Sequence, residues 1–327
     1  MHPYPIDKKL VVAVASSALF NLEESDHIFV RQGEAAYRKY QEEHKNNPLG
    51  KGVAFPFVRR FLNFNKLFLD LLPVEVVLLS RNNPDTGLRV FNSIAYHGLD
   101  ITRAAFMSGK PAFQYLPAFN ASLFLSANQS DVRVAVDAGF PAGIVLQSEA
   151  ADDTEDCELR IAFDFDGILA DDESECINKE QGLEAFKNYE VSKAGIPHAL
   201  GLLHDLFRKL GFLQQLELQV IRGNPEYKRY LRTAIVTARS APTHERVVTT
   251  LKSWGVLPDE TIFLGGISKK RVLDILKPHI FFDDQMIHLK ESARYVPSVH
   301  VPFGKLNDLR VGGAARREGP VRPDPNL

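Results

Sequence analysis

The stretch Phe163-Asp164-Phe165-Asp166-Gly167 decides the fold, because it places two carboxylates directly after the apolar run Leu159 to Phe163. A short apolar run that ends in polar residues predicts a buried strand of an open α/β sheet, and such sheets bind ligands at the carboxyl ends of their strands. An Asp-x-Asp pair alone says little about catalysis, since many such pairs only cap turns. The residues that follow the other strands therefore decide what this pair does.

A hydroxyl and a lysine follow two later apolar runs. The run Ala234 to Val236 ends in Thr237-Ala238-Arg239-Ser240 and passes into a helical pattern with Pro242 in its first turn, where a hydroxyl and free amides can hold phosphate. The run Phe263 to Leu264 leads through two glycines to Lys269-Lys270, where an ammonium would neutralise phosphoryl oxygens. Both segments indicate a phosphate site.

A second carboxylate pair, Asp283-Asp284, follows the apolar run Ile280 to Phe282. Burying these charges without a cation would be costly, so the pair indicates a metal ion. Four strand ends therefore deliver, in chain order, a carboxylate pair, a hydroxyl, a lysine and another carboxylate pair.

Short apolar runs alternate with helical patterns along most of the chain, which predicts βαβ units and a parallel sheet in the α/β class. The strands predicted in the second half are Leu159 to Phe163, Ala234 to Val236, Thr261 to Leu264, His279 to Phe282 and Ser298 to Val301. Those predicted in the first half are Val11 to Ala15, Val76 to Leu79, Ala104 to Met107, Ser122 to Leu125 and Ala142 to Leu146.

The two halves align with each other. Adding 157 places Ser80 on Thr237 and Gly109 on Gly266, whereas the first strands align at a different offset, because the segments after them differ in length. We infer an internal duplication in which small residues of the first copy, Ala15, Ser17, Ser126 and Ala127, replace the carboxylates. Two unrelated α/β domains with similar periodicity remain the alternative.

Composition excludes several classes of protein. The 327 residues carry 39 Lys and Arg against 41 Asp and Glu, so no overall positive field is available for a nucleic acid polymer or an anionic membrane. Two cysteines are too few for a disulfide framework, which fits a reducing, cytoplasmic location. Leu10 to Phe20 after Lys8-Lys9 resembles a secretory signal, but a buried strand is the preferred interpretation. No run approaches the roughly 18 apolar residues of a membrane span.

In order and residue type, the four strand ends resemble the four motifs of the haloacid dehalogenase-like (HAD-like) phosphohydrolases. Further segments resemble the cytosolic type I 5′-nucleotidases over nearly the whole chain. These segments are Val14 to Phe20, Ala54 to Val58, Asp172 to Glu175, Val236 to Ala241, Ser253 to Gly255, and Pro278 to Met286 with His288. Ile168 departs from the superfamily pattern, which usually has threonine or valine there, and little consequence is expected.

The resemblance implies a role for each motif residue. Asp164 would attack phosphorus to give an aspartyl phosphate, and Asp166 would act as the acid and then the base. Magnesium would be bound by Asp164, the Asp166 backbone carbonyl and Asp283, with Asp284 binding through water. Thr237 and Lys269 would complete a charge clamp. The residues implied in substrate binding are Gly167, Thr237, Ala238, Arg239 and Lys269.

Several points stay open in the sequence. Only the family spacing favours Lys269 over Lys270, and Arg239 could pair with an acid on a neighbouring helix instead of touching substrate. His288 is left out of catalysis, because a surface histidine is at least as common there. The phenylalanines Phe55, Phe57, Phe61, Phe64 and Phe68 could face a nucleobase, but core packing is favoured.

The function implied is hydrolysis of nucleoside 5′-monophosphates, first of all adenosine monophosphate. A phosphatase for another small phosphomonoester, or a nucleotide-binding protein without turnover, remains possible as an alternative. The sequence does not show whether the chain forms a homo-oligomer or where the nucleobase binds.

The predicted domain organisation has three parts. Residues 1–150 form a degenerate HAD-like α/β lobe that lacks the catalytic carboxylates, and residues 151–304 form a Rossmann-like HAD core with a helical cap at about 171–232. Residues 305–327 are predicted to be a mobile tail.

Overall fold

The computed structural model describes residues 5–224 and 226–307, so the predicted tail lies outside the described residues from residue 308 onward. Ten strands of the described chain form one sheet. They are β1 (Leu10–Val14), β2 (Val74–Ser80), β3 (Arg103–Phe106), β4 (Ala121–Ser126), β5 (Ala142–Val145), β6 (Leu159–Phe163), β7 (Leu231–Thr237), β8 (Glu260–Phe263), β9 (Ile280–Asp283) and β10 (Ser298–His300). Each predicted strand overlaps one of these.

The strand order is β3-β2-β1-β4-β5-β10-β9-β6-β7-β8. Each half of the chain contributes five strands in the same relative order, and the two groups meet at β5 and β10. This pair is antiparallel, whereas the other neighbouring strands are parallel. The carboxyl ends of β1–β5 and of β6–β10 therefore lie at opposite edges of the sheet. The predicted α/β class with a mostly parallel sheet is confirmed.

Eleven α-helices of the described residues connect these strands. They are α1 (Ser16–Leu19), α2 (Glu23–Glu43), α3 (Phe55–Asn63), α4 (Pro84–Tyr96), α5 (Gln129–Asp137), α6 (Glu173–Gln181), α7 (Leu183–Ser192), α8 (His204–Gly223), α9 (His244–Trp254), α10 (Lys269–Leu276) and α11 (Met286–Ser292). None of the described helices is long and apolar enough to cross a membrane.

The segments after β1 and β6 follow the same plan. Adding 149 to Gly33 and Gly52 gives Gly182 and Gly201. Gly33 interrupts α2 and Gly182 separates α6 from α7, with φ angles of 82° and 86° that favour glycine. A Cβ on Gly52 or Gly201 would lie 2.6 or 2.5 Å from a backbone oxygen. We call α2 the first insert and α6 with α7 the second insert.

The helix after each insert packs on the sheet across the two halves. Helix α3 contacts β2 and β6, and α8 contacts β7, β1 and β4. The last part of the predicted cap segment, α8, therefore belongs to the layer that covers the sheet. Phe55, Phe57 and Phe61 of α3 are each 1% exposed, which confirms core packing for these rings.

The apolar stretch after Lys9 forms β1, a central strand whose five residues are all buried. It pairs with β2 on one side and β4 on the other. The predicted limits of the lobes near residues 150 and 304 stay a prediction, because the sheet runs without a break from one half into the other.

Candidate active site

The carboxyl edge of β6–β10 gathers the polar residues singled out in the sequence. Asp164 follows β6 directly and Asp283 ends β9, and these two strands are neighbours. The backbone N–H of Asp164 donates to the Phe282 carbonyl at 2.8 Å, so the two carboxylates leave the sheet side by side. Thr237 ends β7, which flanks β6 on the other side.

Lys269, the first residue of α10, joins two of these carboxylates. Its Nζ lies 2.7 Å from Asp164 Oδ2 and 2.7 Å from Asp283 Oδ2, and only 4% of the residue is exposed. Lys270 instead pairs with Asp274 on its own helix, at 2.5 Å and partly exposed. Of the two lysines, Lys269 is the one that lies in the site.

The two bridged carboxylates have different electrostatic surroundings. Burial raises the pKa of Asp164 to about 6, helped by Asp283 and Asp166 and opposed by Lys269. Burial also acts to raise the pKa of Asp283, but Lys269 and His288 lower it overall. His288 Nδ1 lies 3.2 Å from Asp283 Oδ2, so this histidine, which the sequence analysis left out of catalysis, lies in the site.

Asp284 provides an independent sign of a cation. It is 1% exposed, and neither of its carboxylate oxygens accepts a hydrogen bond from the described residues. Burial, together with Glu175 and Asp164, raises its pKa to about 10. Gly167 makes room for it: φ there is +70°, and a Cβ would lie 2.6 Å from Asp284 Oδ2. An unpartnered buried carboxylate beside Asp164 and Asp283 fits a divalent metal ion.

Glu175 adds a carboxylate from the second insert that the sequence analysis did not assign. It lies on α6, and its Oε1 accepts a hydrogen bond from the Gln285 side chain. Its Oε2 is buried and accepts no hydrogen bond from the described residues. Burial, with the charges of Asp166 and Asp164, raises its pKa to about 8. The insert therefore extends the acidic cluster over the sheet edge.

Arg239 contacts carboxylates on two sides. Its Nε and one terminal nitrogen each donate to Asp166 at 2.7 Å, one to each carboxylate oxygen. The other terminal nitrogen donates to Glu190 of α7 and, at 3.3 Å, to the Thr243 carbonyl. Arg239 is 4% exposed and Glu190 1%. The pairing with an acid on a helix, one of two possibilities left open by the sequence, is therefore present.

The phosphate-binding turn predicted after β7 differs in one detail. Thr237 is 1% exposed and its Oγ1 accepts a hydrogen bond from the Arg239 N–H at 3.3 Å, with Ala238 between them. Helix α9 begins at His244, so Pro242 precedes the helix and the expectation that it lies in the first turn was wrong. The backbone between Thr237 and Thr243 forms a turn instead.

The geometry thus brings together Asp164, Asp283, Asp284, Lys269 and Gly167, with Asp166 held by Arg239. Ligand atoms of Asp164, Asp283 and His288 lie within 4.8 Å of one another, close enough to share one ion. The chemical roles that the sequence analysis assigned to these residues stay predictions. Besides His288, which it left out, the sequence analysis missed Glu175 and Glu190, which both belong to the second insert.

Raising the pH is expected to destabilise the metal-free protein through Glu175. The ordinary pKa of 4.5 is raised to about 8 in the folded chain, so the folded state favours the protonated carboxyl. The resulting stabilisation is complete below about pH 4.5 and is lost as the pH rises through about 8. With a chelator present, the thermal midpoint should fall between about pH 5 and 8, and fall less in Glu175→Gln.

Glu173→Gln is the matched control, because Glu173 lies on the same helix but its pKa is lowered, first by a hydrogen bond from Tyr189. The pH dependence of its midpoint should not flatten. Equal slopes for wild type and Glu175→Gln would contradict the assignment.

Comparisons with known proteins cover both halves of the sheet. A family model described as 5′-nucleotidase matches residues 2–308. Cytosolic 5′-nucleotidase 1B from Homo sapiens is 35% identical over 300 residues, which cover 89% of this chain and 49% of that protein. The chain therefore spans about half the length of this curated relative. No solved structure matches the chain significantly.

Proposed function

Because the chain belongs to the 5′-nucleotidase family, we propose that it hydrolyses nucleoside 5′-monophosphates to nucleoside and phosphate, with adenosine monophosphate as the first substrate to test. The observation that carries this proposal is the buried bridge from Asp164 through Lys269 to Asp283. It combines a carboxylate nucleophile with a fixed positive charge at the ligand-binding edge of the sheet. The proposed location is the cytosol, as the name of the human relative states for that protein.

In the proposed first step, a carboxylate oxygen of Asp164 attacks phosphorus and the bond from phosphorus to the ribose 5′-oxygen breaks. Asp166 donates its proton to that oxygen, and the nucleoside leaves. Lys269 and Thr237 hold the phosphoryl oxygens, so the negative charge that accumulates on them in the transition state is stabilised in place.

In the second step, a water oxygen attacks the phosphorus of the aspartyl phosphate. Asp166 accepts the proton from this water, the bond between Asp164 and phosphorus breaks, and inorganic phosphate is released. One aspartate therefore serves as acid and then as base, which requires its carboxylate to be held within hydrogen-bond reach of both oxygens.

The cofactor we propose is Mg²⁺, held by Asp164, the Asp166 backbone carbonyl and Asp283, with Asp284 binding through water. The unpartnered buried oxygens of Asp284 support a cation at this place. When bound, the ion offsets the repulsion between a carboxylate nucleophile and a phosphate dianion. The same carboxylates without a cation would leave a buried excess of negative charge, which Lys269 alone does not balance.

A substrate panel tests this proposal. Purified protein is incubated with nucleoside 5′-monophosphates and with sugar phosphates, with MgCl₂ and separately with chelator, and released phosphate is measured. We expect release from the nucleotides in MgCl₂, and at least about 100-fold less in chelator. Release from sugar phosphates alone would point to a phosphatase for another small phosphomonoester. Release from nothing, together with saturable nucleotide binding, would point to a binding protein.

A further inference from the structure

A buried chain of charges links the second insert to Asp166. Both oxygens of Asp166 accept hydrogen bonds from Arg239, and the far side of the same guanidinium donates to Glu190 on α7. Arg239 also lies between two aromatic rings, with its guanidinium carbon 5.6 Å from the centroid of Phe165 and 5.2 Å from that of Phe186. The orientation of the Asp166 carboxylate is thus set by an arginine that is itself fixed from the insert.

The first half of the chain contains the same framework around its own insert. Arg246 of α9 and Arg89 of α4 are related by the offset of 157. The Nε of each donates at 2.9 Å to a backbone carbonyl beyond its insert. Each guanidinium carbon also lies 5.5 Å from the centroid of a tyrosine ring of the insert, Tyr40 or Tyr189. In both halves this arginine therefore contacts the insert and the chain just after it.

The chain of charges, in contrast, exists in the second half only. The offset of 149 places Gln41 at the position of Glu190, and Arg89 donates to Gln41 Oε1 at 3.3 Å where Arg246 donates to Glu190 Oε1 at 2.8 Å. The other two members also become neutral: Asn82 stands at the position of Arg239, and Ser17 at that of Asp166.

The residue that contacts this arginine is neutral in the first half and charged in the second. In the first half the buried arginine contacts a neutral residue, Gln41, and Gln41 and Arg89 are 4% and 7% exposed. The negative charge of Glu190 instead faces two buried guanidiniums, those of Arg239 and Arg246. It is present in the half that also has the carboxylates Asp164 and Asp283, and absent from the half that lacks them.

We propose that Glu190 and Arg239 are positioning residues for Asp166: Glu190 fixes the guanidinium of Arg239, and Arg239 fixes the Asp166 carboxylate for proton transfer. This inference rests on the proposed function. Arg239 has five N–H donors, and its hydrogen bonds to Asp166, Glu190 and the Thr243 carbonyl occupy four of them. A guanidinium engaged in this way orients the acid and base and does not serve as the main substrate contact.

The decisive variant is Glu190→Gln, which installs the residue that the first half has at this position. We expect kcat to fall by about 10- to 100-fold while KM changes by less than about threefold, because the substrate-binding groups stay in place. Glu217→Gln is the control: Glu217 is also 1% exposed and accepts hydrogen bonds, but from Tyr227 and backbone N–H groups near β7. An unchanged kcat in Glu190→Gln, or an equal loss in Glu217→Gln, would overturn the proposal.

Arg239→Lys distinguishes positioning from substrate binding. Because it keeps a positive charge next to Glu190, it also serves as the test if Glu190→Gln does not fold. A lysine lacks the planar fork of donors that engages both oxygens of Asp166 in parallel. A lower kcat with little change in KM is the expected result. A raised KM with kcat preserved would show that Arg239 binds the substrate, and would overturn the positioning role.

A measurement without substrate tests the same chain. The Nε–H of Arg239 is identified in a ¹H–¹⁵N spectrum of arginine side chains by its loss in Arg239→Lys. We expect its hydrogen exchange to be at least about tenfold faster in Glu190→Gln than in wild type, and unchanged in Glu217→Gln. Equal exchange in all three proteins would overturn the proposal. If the wild type hydrolysed no phosphomonoester, the proposed function would fail, and this resonance would still show whether Glu190 fixes the guanidinium of Arg239.

Discussion

Asp164→Asn should hydrolyse nucleoside monophosphates at least about 10⁴-fold more slowly than the wild type, since loss of a covalent nucleophile removes the reaction path itself. The exchange also removes the negative charge next to Lys269, which keeps Asp283 as its partner. Asp164 Oδ1 accepts a hydrogen bond from the Phe165 N–H at 2.7 Å, and an asparagine can keep this contact. The measurement is steady-state release of phosphate from adenosine monophosphate, with Asp164→Ala as a second variant that cannot revert by deamidation.

The loss must be separated from unfolding. In chelator, the thermal midpoint of Asp164→Asn should be no lower than that of the wild type, because the exchange removes a charge from a buried cluster of carboxylates. Asp152→Asn is the control: Asp152 is a largely buried carboxylate 2.6 Å from Arg60, away from the site, and its removal should leave kcat within about twofold. More than about 1% residual activity in Asp164→Asn would refute the nucleophile assignment.

Lys269→Met is expected to damage both activity and stability. The ammonium neutralises Asp164 and Asp283 together, so its removal leaves two buried carboxylates facing each other. Removing one partner of a buried ion pair costs about 3–5 kcal/mol of unfolding free energy. Because the Lys269 ammonium would no longer stabilise the phosphoryl oxygens in the transition state, kcat should also fall by about 10³-fold. Denaturant unfolding in chelator and phosphate release in MgCl₂ measure the two effects separately.

Lys270→Met is the matched control for this variant. It removes the adjacent lysine, whose partner Asp274 lies on the outer face of α10, and both activity and stability should stay close to the wild type. In the double variant Lys269→Met with Asp164→Asn, the destabilisation should be smaller than the sum of the single effects, because one of the unpaired charges is gone. Full additivity would contradict a direct interaction between Lys269 and Asp164.

The strand ends that form the site could be predicted because each follows a buried apolar run, and parallel strands deliver their carboxyl ends to one edge. Asp164, Thr237 and Asp283 were located in this way. The choice of Lys269 over Lys270 depended on the family spacing alone, since neighbouring residues on a helix point about 100° apart and the packing of α10 decides which one enters the site.

Glu175 and Glu190 were missed for a different reason. A glutamate on a helix is normally solvated, and nothing local shows that α6 and α7 turn theirs inward. A signal was nevertheless present: extending the first-strand alignment at the offset of 149 beyond Ser17 would have set Glu190 against Gln41. The antiparallel pairing of β5 with β10 could not be predicted in this way, because either edge strand of each half could have formed the junction.

The junction between the two halves has a consequence for how the chain is synthesised. Strand β10 has three residues, Ser298–His300, and it alone joins the second group of strands to β5. Among the described strands these residues are made last, so the sheet stays in two open pieces, with the edges of β5 and β9 unpaired, until the ribosome has passed residue 300. Helix α8, which packs on β1 and β4, appears earlier and shields the first piece during this interval. A stall in translation before residue 298 would therefore leave a nascent chain exposed to aggregation.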